Sequence, residues 1–183
     1  MGYAGLVLAA GAGVRAGGPK ALRVDDAGRP WVEIAAASLR DAGCEPAVVV
    51  LGAAADEART LVPEWARVVV ASRWAAGQSE SLRAGLEALG GPVAGGEAAD
   101  GVLVTLVDLP WQGADEARAV LSLADRAFPA SSLARLLMDG NPGHPVLIGR
   151  DHWDPLVATL AGDEGARVYL AAHAVRSIPA EMA

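Results

Sequence analysis

Residues 5–22 read GLVLAAGAGVRAGGPKAL, and the reading of this stretch decides the fold. Its first six residues are continuously apolar, the mark of a strand buried on both faces. Four glycines follow within eight positions, Gly11, Gly13, Gly17 and Gly18. In an open α/β sheet ligands bind outside the carboxyl ends of the strands, so a glycine loop leaving a buried strand stands where a binding loop belongs. Glycines let backbone N–H groups approach an anion closely. Arg15 and Lys20 supply charge on either side of the turn, and Lys20 is the only lysine among the fifteen lysines and arginines of the chain. Arginine offers a planar fork of donors and lysine a compact point charge; a triphosphate uses both.

The rest of the chain repeats the strand pattern. AVVVLG (47–52), ARVVVA (66–71) and GVLVTLVD (101–108) read as further buried strands. WVEIAAASLRDAG (31–43), AAADEARTLV (53–62), SESLRAGLEALG (79–90) and ADEARAVLSLADRA (114–127) show the three-and-four apolar spacing of helices. This alternation predicts an α/β protein, a three-layer sandwich with a mostly parallel sheet. GGPVAGGEAAD (90–100) is the most loop-like segment. SSLARLLMDGNPGHPVLIGR (131–150) predicts an antiparallel pair or a lid, with its turn at Asp139–Pro142. A helical tail follows, interrupted at GDEG (162–165), and VRSIP (175–179) reads as a last strand. Residues 1–183 are expected to form a single domain.

The totals exclude several classes. Of 183 residues 52% are hydrophobic, which disordered chains are not, and the formal charge of −7 leaves no basic stripe for nucleic acid. An acidic surface repels anions at long range, so a phosphate must be held by local groups. The single cysteine, Cys44, rules out an internal disulfide and reads as a small buried residue. The apolar start MGYAGLVLAAG has neither a basic flank nor a spanning length, so no membrane association is expected and the cytoplasm is the default location.

The loop is not a P-loop, because Pro19 precedes Lys20 and Ala21 follows it, and the helical pattern comes too late for a dinucleotide fingerprint. Asp108, at the end of the most hydrophobic strand, faces the same crevice and is the candidate Mg²⁺ ligand; a helix N-cap is the alternative. Asp163 in GDEG is the candidate second carboxylate, and reads equally as a turn or cap residue. Ser79 and Ser81 stand at a helix start, where exposed N–H groups welcome a phosphate or a base carbonyl, or where either serine is simply the cap. Arg83, one turn on, faces either a phosphate or solvent. His144 lies in the rigid turn GNPGHP, and the three histidines lack zinc-ligand spacing.

LAAGAGVRAGGPKAL resembles the signature loop of the MobA-like nucleotidyltransferases, above all the molybdenum cofactor cytidylyltransferases (MocA-like). WAAGQSESLRAGL (74–86), TLVDLP (105–110), GNPGHPVLIGRDHW (140–153) and GDEGARVYL (162–170) are similar to later elements of that family. The chain departs from its pattern at Ala16, Gln78 and Trp111-Gln112. The resemblance implies a Rossmann-like fold of the nucleotide-diphospho-sugar transferase type. It implies Mg²⁺-dependent transfer of a nucleotide, with CTP favoured by LAAG and GTP as the other choice, to a pterin-phosphate acceptor with release of pyrophosphate. It places Leu8, Ala9, Ala10, Gly11, Gly13, Arg15, Lys20, Ser79 and Ser81 on the nucleotide, and His144 on the acceptor. Arg15, Lys20 and Asp108 would be catalytic, with Asp108 and Asp163 on the metal. A molybdoenzyme or maturation factor is the expected protein partner. A sugar-phosphate or isoprenoid-precursor acceptor, or a non-catalytic chaperone for the molybdenum cofactor, are the alternatives.

Overall fold

The first apolar run forms β1 (Tyr3–Ala9), every residue of it buried. In the computed structural model, which describes residues 2–90 and 99–182, the chain continues through α1 (Trp31–Asp41), β2 (Ala47–Leu51), α2 (Ala55–Arg59) and β3 (Arg67–Val70). Then come α3 (Gln78–Gly90), β4 (Gly101–Leu106), α4 (Ala114–Ser122), β5 (Leu133–Met138) and β6 (Asn141–Gly149). The chain closes with α5 (Trp153–Thr159), α6 (Arg167–Ala171) and β7 (Arg176–Pro179). The expected loop at 90–100 lies mostly outside the described residues. Among those described, no helix is long and apolar enough to cross a membrane.

One sheet holds all seven strands in the order β3-β2-β1-β4-β6-β5-β7. β1 is parallel to β2 and β4, β2 to β3, and β5 to β7, while β6 runs antiparallel to both of its neighbours. Apolar side chains cover both faces, as continuous strands require. One core sets Val7, Val49, Leu103 and Leu147 against Val32 and Leu39 of α1 and Val120 of α4. The other sets Leu6, Val50, Val104 and Ile148 against Leu82 and Leu86 of α3, Leu156 of α5 and Leu170 of α6. The result is the three-layer α/β sandwich predicted. From β1 the chain steps out to β2 and β3, then returns to the other side of β1 with β4. The gap between the carboxyl ends of β1 and β4 is therefore the topological switch point, where such sheets bind ligands.

Of the antiparallel pair or lid expected over 131–150, the structure holds the pair: β5 and β6 are antiparallel, with β6 inside the sheet, hydrogen-bonded to β4 over Gly101–Val104. Two helices are shorter than expected. The helix expected over 53–62 is only Ala55–Arg59. Thr60, Leu61 and Val62 tighten into three-residue bonds to Glu57, Ala58 and Arg59 ahead of Pro63. The helix expected over 114–127 stops at Ser122. There Asp125 competes for the backbone, accepting the N–H groups of Ala127 (2.8 Å) and Phe128 (3.1 Å).

Candidate active site at the switch point

The glycine loop is a self-supporting turn on the end of β1. Gly13 adopts φ +59°, and a Cβ there would stand 1.9 Å from the Gly18 carbonyl oxygen, so no other residue fits. Its carbonyl oxygen accepts the N–H groups of Ala16 (2.8 Å) and Gly18 (3.1 Å), folding the loop back on itself. Val14 at the tip is 88% exposed. Arg15 lies in the short turn Val14–Ala16; the role expected of its side chain lies outside what the structure describes. Pro19 opens a second short turn, Lys20–Leu22. From it the Lys20 ammonium donates directly to the Asp108 carboxylate.

Asp108 sits two residues past the end of β4, not within it. Val107 anchors this turn by donating to Leu8 O at 3.2 Å, which ties the ends of the two central strands together. The N-cap alternative is excluded: α4 starts at Ala114, and its entry is closed by Glu116, which accepts the Gly113 N–H at 2.9 Å. The Lys20 and Asp108 side chains are 35% and 30% exposed, so their attraction contributes about 0–1 kcal/mol to stability. What the pair does is hold two opposite charges at the mouth of the crevice. No three His, Cys, Asp or Glu among the described residues converge closely enough to hold a metal alone. A single half-buried carboxylate beside a glycine loop fits Mg²⁺, which takes one or two carboxylates and completes its shell with phosphate oxygens and water.

A second group of expected residues gathers beside a cavity of about 240 Å³. His144 and Asp163 both line it, with Leu8 from the end of β1. Burial pushes the His144 imidazole down to about 4, against the opposing pull of the Asp108 charge, so it is neutral near pH 7. Asp163 accepts the Gln78 N–H at 3.3 Å and so caps α3.

Ser79 departs from expectation. It is fully buried, its hydroxyl donates to Ala161 O (2.9 Å) and accepts the Gly165 N–H (3.1 Å), and its own N–H donates to Gly162 O (3.0 Å). The start of α3 is therefore occupied by the 161–165 loop, and Ser79 positions that loop. Ser81 is buried as well. Arg83 faces neither a phosphate nor solvent alone: it donates to Val157 O and Leu160 O at the end of α5. His152 bonds Tyr169 and Ser131, and His173 stacks on the same tyrosine, away from this cavity.

Two residues here were not candidates for the site. Gln112 is buried and donates to His144 O at 2.6 Å, coupling the turn after Asp108 to the histidine segment. Its only signal in the sequence is that it breaks the family pattern after DLP. Arg135 lines the cavity from β5; its signal was the period-two alternation of that strand, which puts an arginine on an apolar face.

A glycine loop and a strand-end carboxylate facing one another across a switch point are the architecture of an α/β nucleotide-binding protein. Residues 5–177 match the MobA-like NTP transferase domain, and the chain belongs to that family of nucleotidyltransferases. It is 36% identical over 173 residues to the nicotine blue oxidoreductase of Paenarthrobacter nicotinovorans, covering 91% of this chain and 80% of that protein. The solved Rv0371c homolog of Mycobacterium sp. strain JC1 is 28% identical, with a TM-score of 0.72 over 97% of this chain and 85% of its own. Rv0371c of Mycobacterium tuberculosis H37Rv is 25% identical, with a TM-score of 0.76 over 98% and 88%, and has also been crystallised with manganese.

Proposed function

We propose that the protein transfers a nucleotide, CMP from CTP in preference to GMP from GTP, to the phosphate of a pterin acceptor of the molybdopterin type, with release of pyrophosphate. The observation that carries this reading is the contact of Lys20 with Asp108, which brings the glycine loop of β1 against the carboxylate beyond β4. The loop backbone from Leu8 to Gly13, with Arg15 and Lys20, receives the triphosphate. Asp108, with Asp163 as the second candidate, would hold the divalent cation, Mg²⁺ in this reading; when bound, such an ion offsets charge on the phosphates. In the reaction an oxygen of the acceptor phosphate attacks the α-phosphorus, and the bond from that phosphorus to the pyrophosphate oxygen breaks. No nucleophilic side chain is required. The chain's part is positioning and charge stabilisation, with Lys20 and Arg15 placed to meet the departing pyrophosphate. His144, neutral on the cavity wall, would hydrogen-bond the acceptor. Ser79 supports that half of the site by fixing the 161–165 loop.

The test is pyrophosphate release from CTP, GTP and ATP, each with molybdopterin and Mg²⁺. Release with CTP above the other two is expected. Release only with a sugar phosphate or an isoprenoid precursor moves the acceptor, and binding without release under any pairing leaves a cofactor chaperone. One observation favours a second reading. The 36%-identical relative is named an oxidoreductase of nicotine blue, and the cavity beside Leu8 is walled largely by apolar side chains. Consumption of a reduced nicotinamide with an aromatic dye, and no pyrophosphate from any triphosphate, would decide for it.

A further inference from the structure

Alternate residues of β5 face the core under α3 and α6, and one of them is an arginine. Leu133 is paired with Ile148 and Arg135 with Val146, and Leu133, Ile148 and Val146 all belong to that core. Arg135 thus stands where the pleat calls for an apolar side chain. Its Nε is buried and has no hydrogen-bond partner. No described carboxylate forms an ion pair with it. The residue as a whole is only partly buried, so the cost falls on that one N–H, shut from water with no acceptor. Immediately after Arg135 the register with β6 shifts, an irregularity of the kind that re-aims side chains beside binding sites.

The cavity that Arg135 lines has two opposed apolar walls. Val104, Val146 and Ile148 form a floor on the sheet, and Leu82 of α3 and Leu170 of α6 form a roof. A slot between a sheet and its helices favours a flat ligand, and one unmatched cation in it favours one negative oxygen. Free phosphate is a poor match, because apolar walls strip its water without returning the hydrogen bonds. At the same cavity Glu164 is paired with Arg167, which leaves Asp163 to disfavour a second negative charge. We propose that Arg135 is the specificity-determining residue of this slot, and that the slot takes a planar aromatic ring bearing a single ionised oxygen. The inference goes beyond the proposed function and does not rest on it, since the pterin of that reading carries no ionised oxygen near pH 7.

The experiment uses the whole chain, 2-naphthoate as the probe and inorganic phosphate as the control, with binding read by titration calorimetry and CTP affinity measured in parallel. Wild type is expected to bind 2-naphthoate at least ~10-fold more tightly than phosphate. Arg135→Gln and Arg135→Leu are expected to lose at least ~10-fold in naphthoate affinity, the size of one charge-assisted bond, with CTP affinity unchanged. Arg135→Lys recovers part of the loss, since it restores the charge without the fork. Without probe, Arg135→Leu is expected to melt about 2 °C or more above wild type, because a leucine on that face needs no partner. Equal naphthoate affinity in wild type and Arg135→Leu, tighter binding of phosphate than of naphthoate, or lowered melting in both Arg135→Leu and Arg135→Gln would overturn the proposal. Absence of CTP binding in wild type, with naphthoate binding still dependent on Arg135, would remove the transferase reading and support this one.

Discussion

Lys20 and Asp108 meet at a position about one third open to water, where an ion pair contributes little to stability. Removing the lysine therefore separates function from folding. Lys20→Ala is expected to lower nucleotide-dependent pyrophosphate release by about 10²–10³-fold, the effect of deleting one charge-stabilising donor. Its unfolding free energy in urea should stay within about 1 kcal/mol of wild type. Turnover equal to wild type in a folded Lys20→Ala protein would remove the lysine from the chemistry. His144 reports on acid. Burial holds its folded value at about 4, below the ordinary 6.5, so between those pH values the unfolded chain binds more protons than the folded one. The stability that comes from keeping it neutral is complete above about pH 6.5 and is lost as the pH falls toward 4. Urea midpoints measured from pH 7 to 4.5 should fall more steeply for wild type than for His144→Gln; parallel curves would show a solvated imidazole. Lys20 and Asp108 were legible because each stands out locally, one as the sole lysine and the other at a strand end. Ser79 was not, because its burial comes from a loop 82 residues further on, and no local pattern encodes that approach.

At the scale of elements, α3 and the 161–165 loop form one unit. Gly77 takes φ +118°, and a Cβ there would lie 2.4 Å from Gly162 O, so the loop packs directly on the entry to the helix. Ser79 supplies the cross-bonds, and Asp163 caps the helix in return. Ser79→Ala leaves the Ala161 carbonyl and the Gly165 N–H without that hydroxyl, which should cost about 1–3 kcal/mol in chemical denaturation. If this unit shapes the acceptor side, the same change raises KM for the acceptor more than for the nucleotide; an equal rise in both would place the loop elsewhere in the mechanism. Strand positions were readable because apolar runs such as AVVVL carry their own signal. Helix ends were less so. The apolar spacing of ADEARAVLSLADRA continues to residue 127, but Asp125 takes two backbone N–H groups and receives Arg176 from β7, a contact between residues 51 apart. β6 was readable as a strand from its VLI run, whereas its place beside β4 depends on the whole sheet.

At the scale of the molecule, a chain of net charge −7 is expected to hold a polyanion, and the architecture reconciles the two. The loop and the lysine are concentrated at one edge of the sheet, where local contacts outweigh a field that water and salt screen. Binding there should tighten the fold as a whole, because β1 and β4, whose ends make the site, are the central strands of both cores. Cys44 can read that coupling without touching the site. It is 1% exposed, and a Cβ on Gly5 of β1 would stand 3.3 Å from its own. Burial pushes its thiol up to about 12, so it reacts as thiolate only when the layer over β1 opens. Labelling by a disulfide-exchange reagent at pH 8 should therefore run at least ~10³-fold slower in buffer than in denaturing urea. Adding CTP and Mg²⁺ at a hundred times their dissociation constant should slow it about a further hundredfold, since ligand bound only to the folded state suppresses opening by mass action. Slowing by CTP in wild type but much less in Asp108→Asn would tie the nucleotide to the crevice between the two strands. Labelling as fast in buffer as in urea would show that β1 and α1 part locally, and that the site rests on a looser frame than its packing implies.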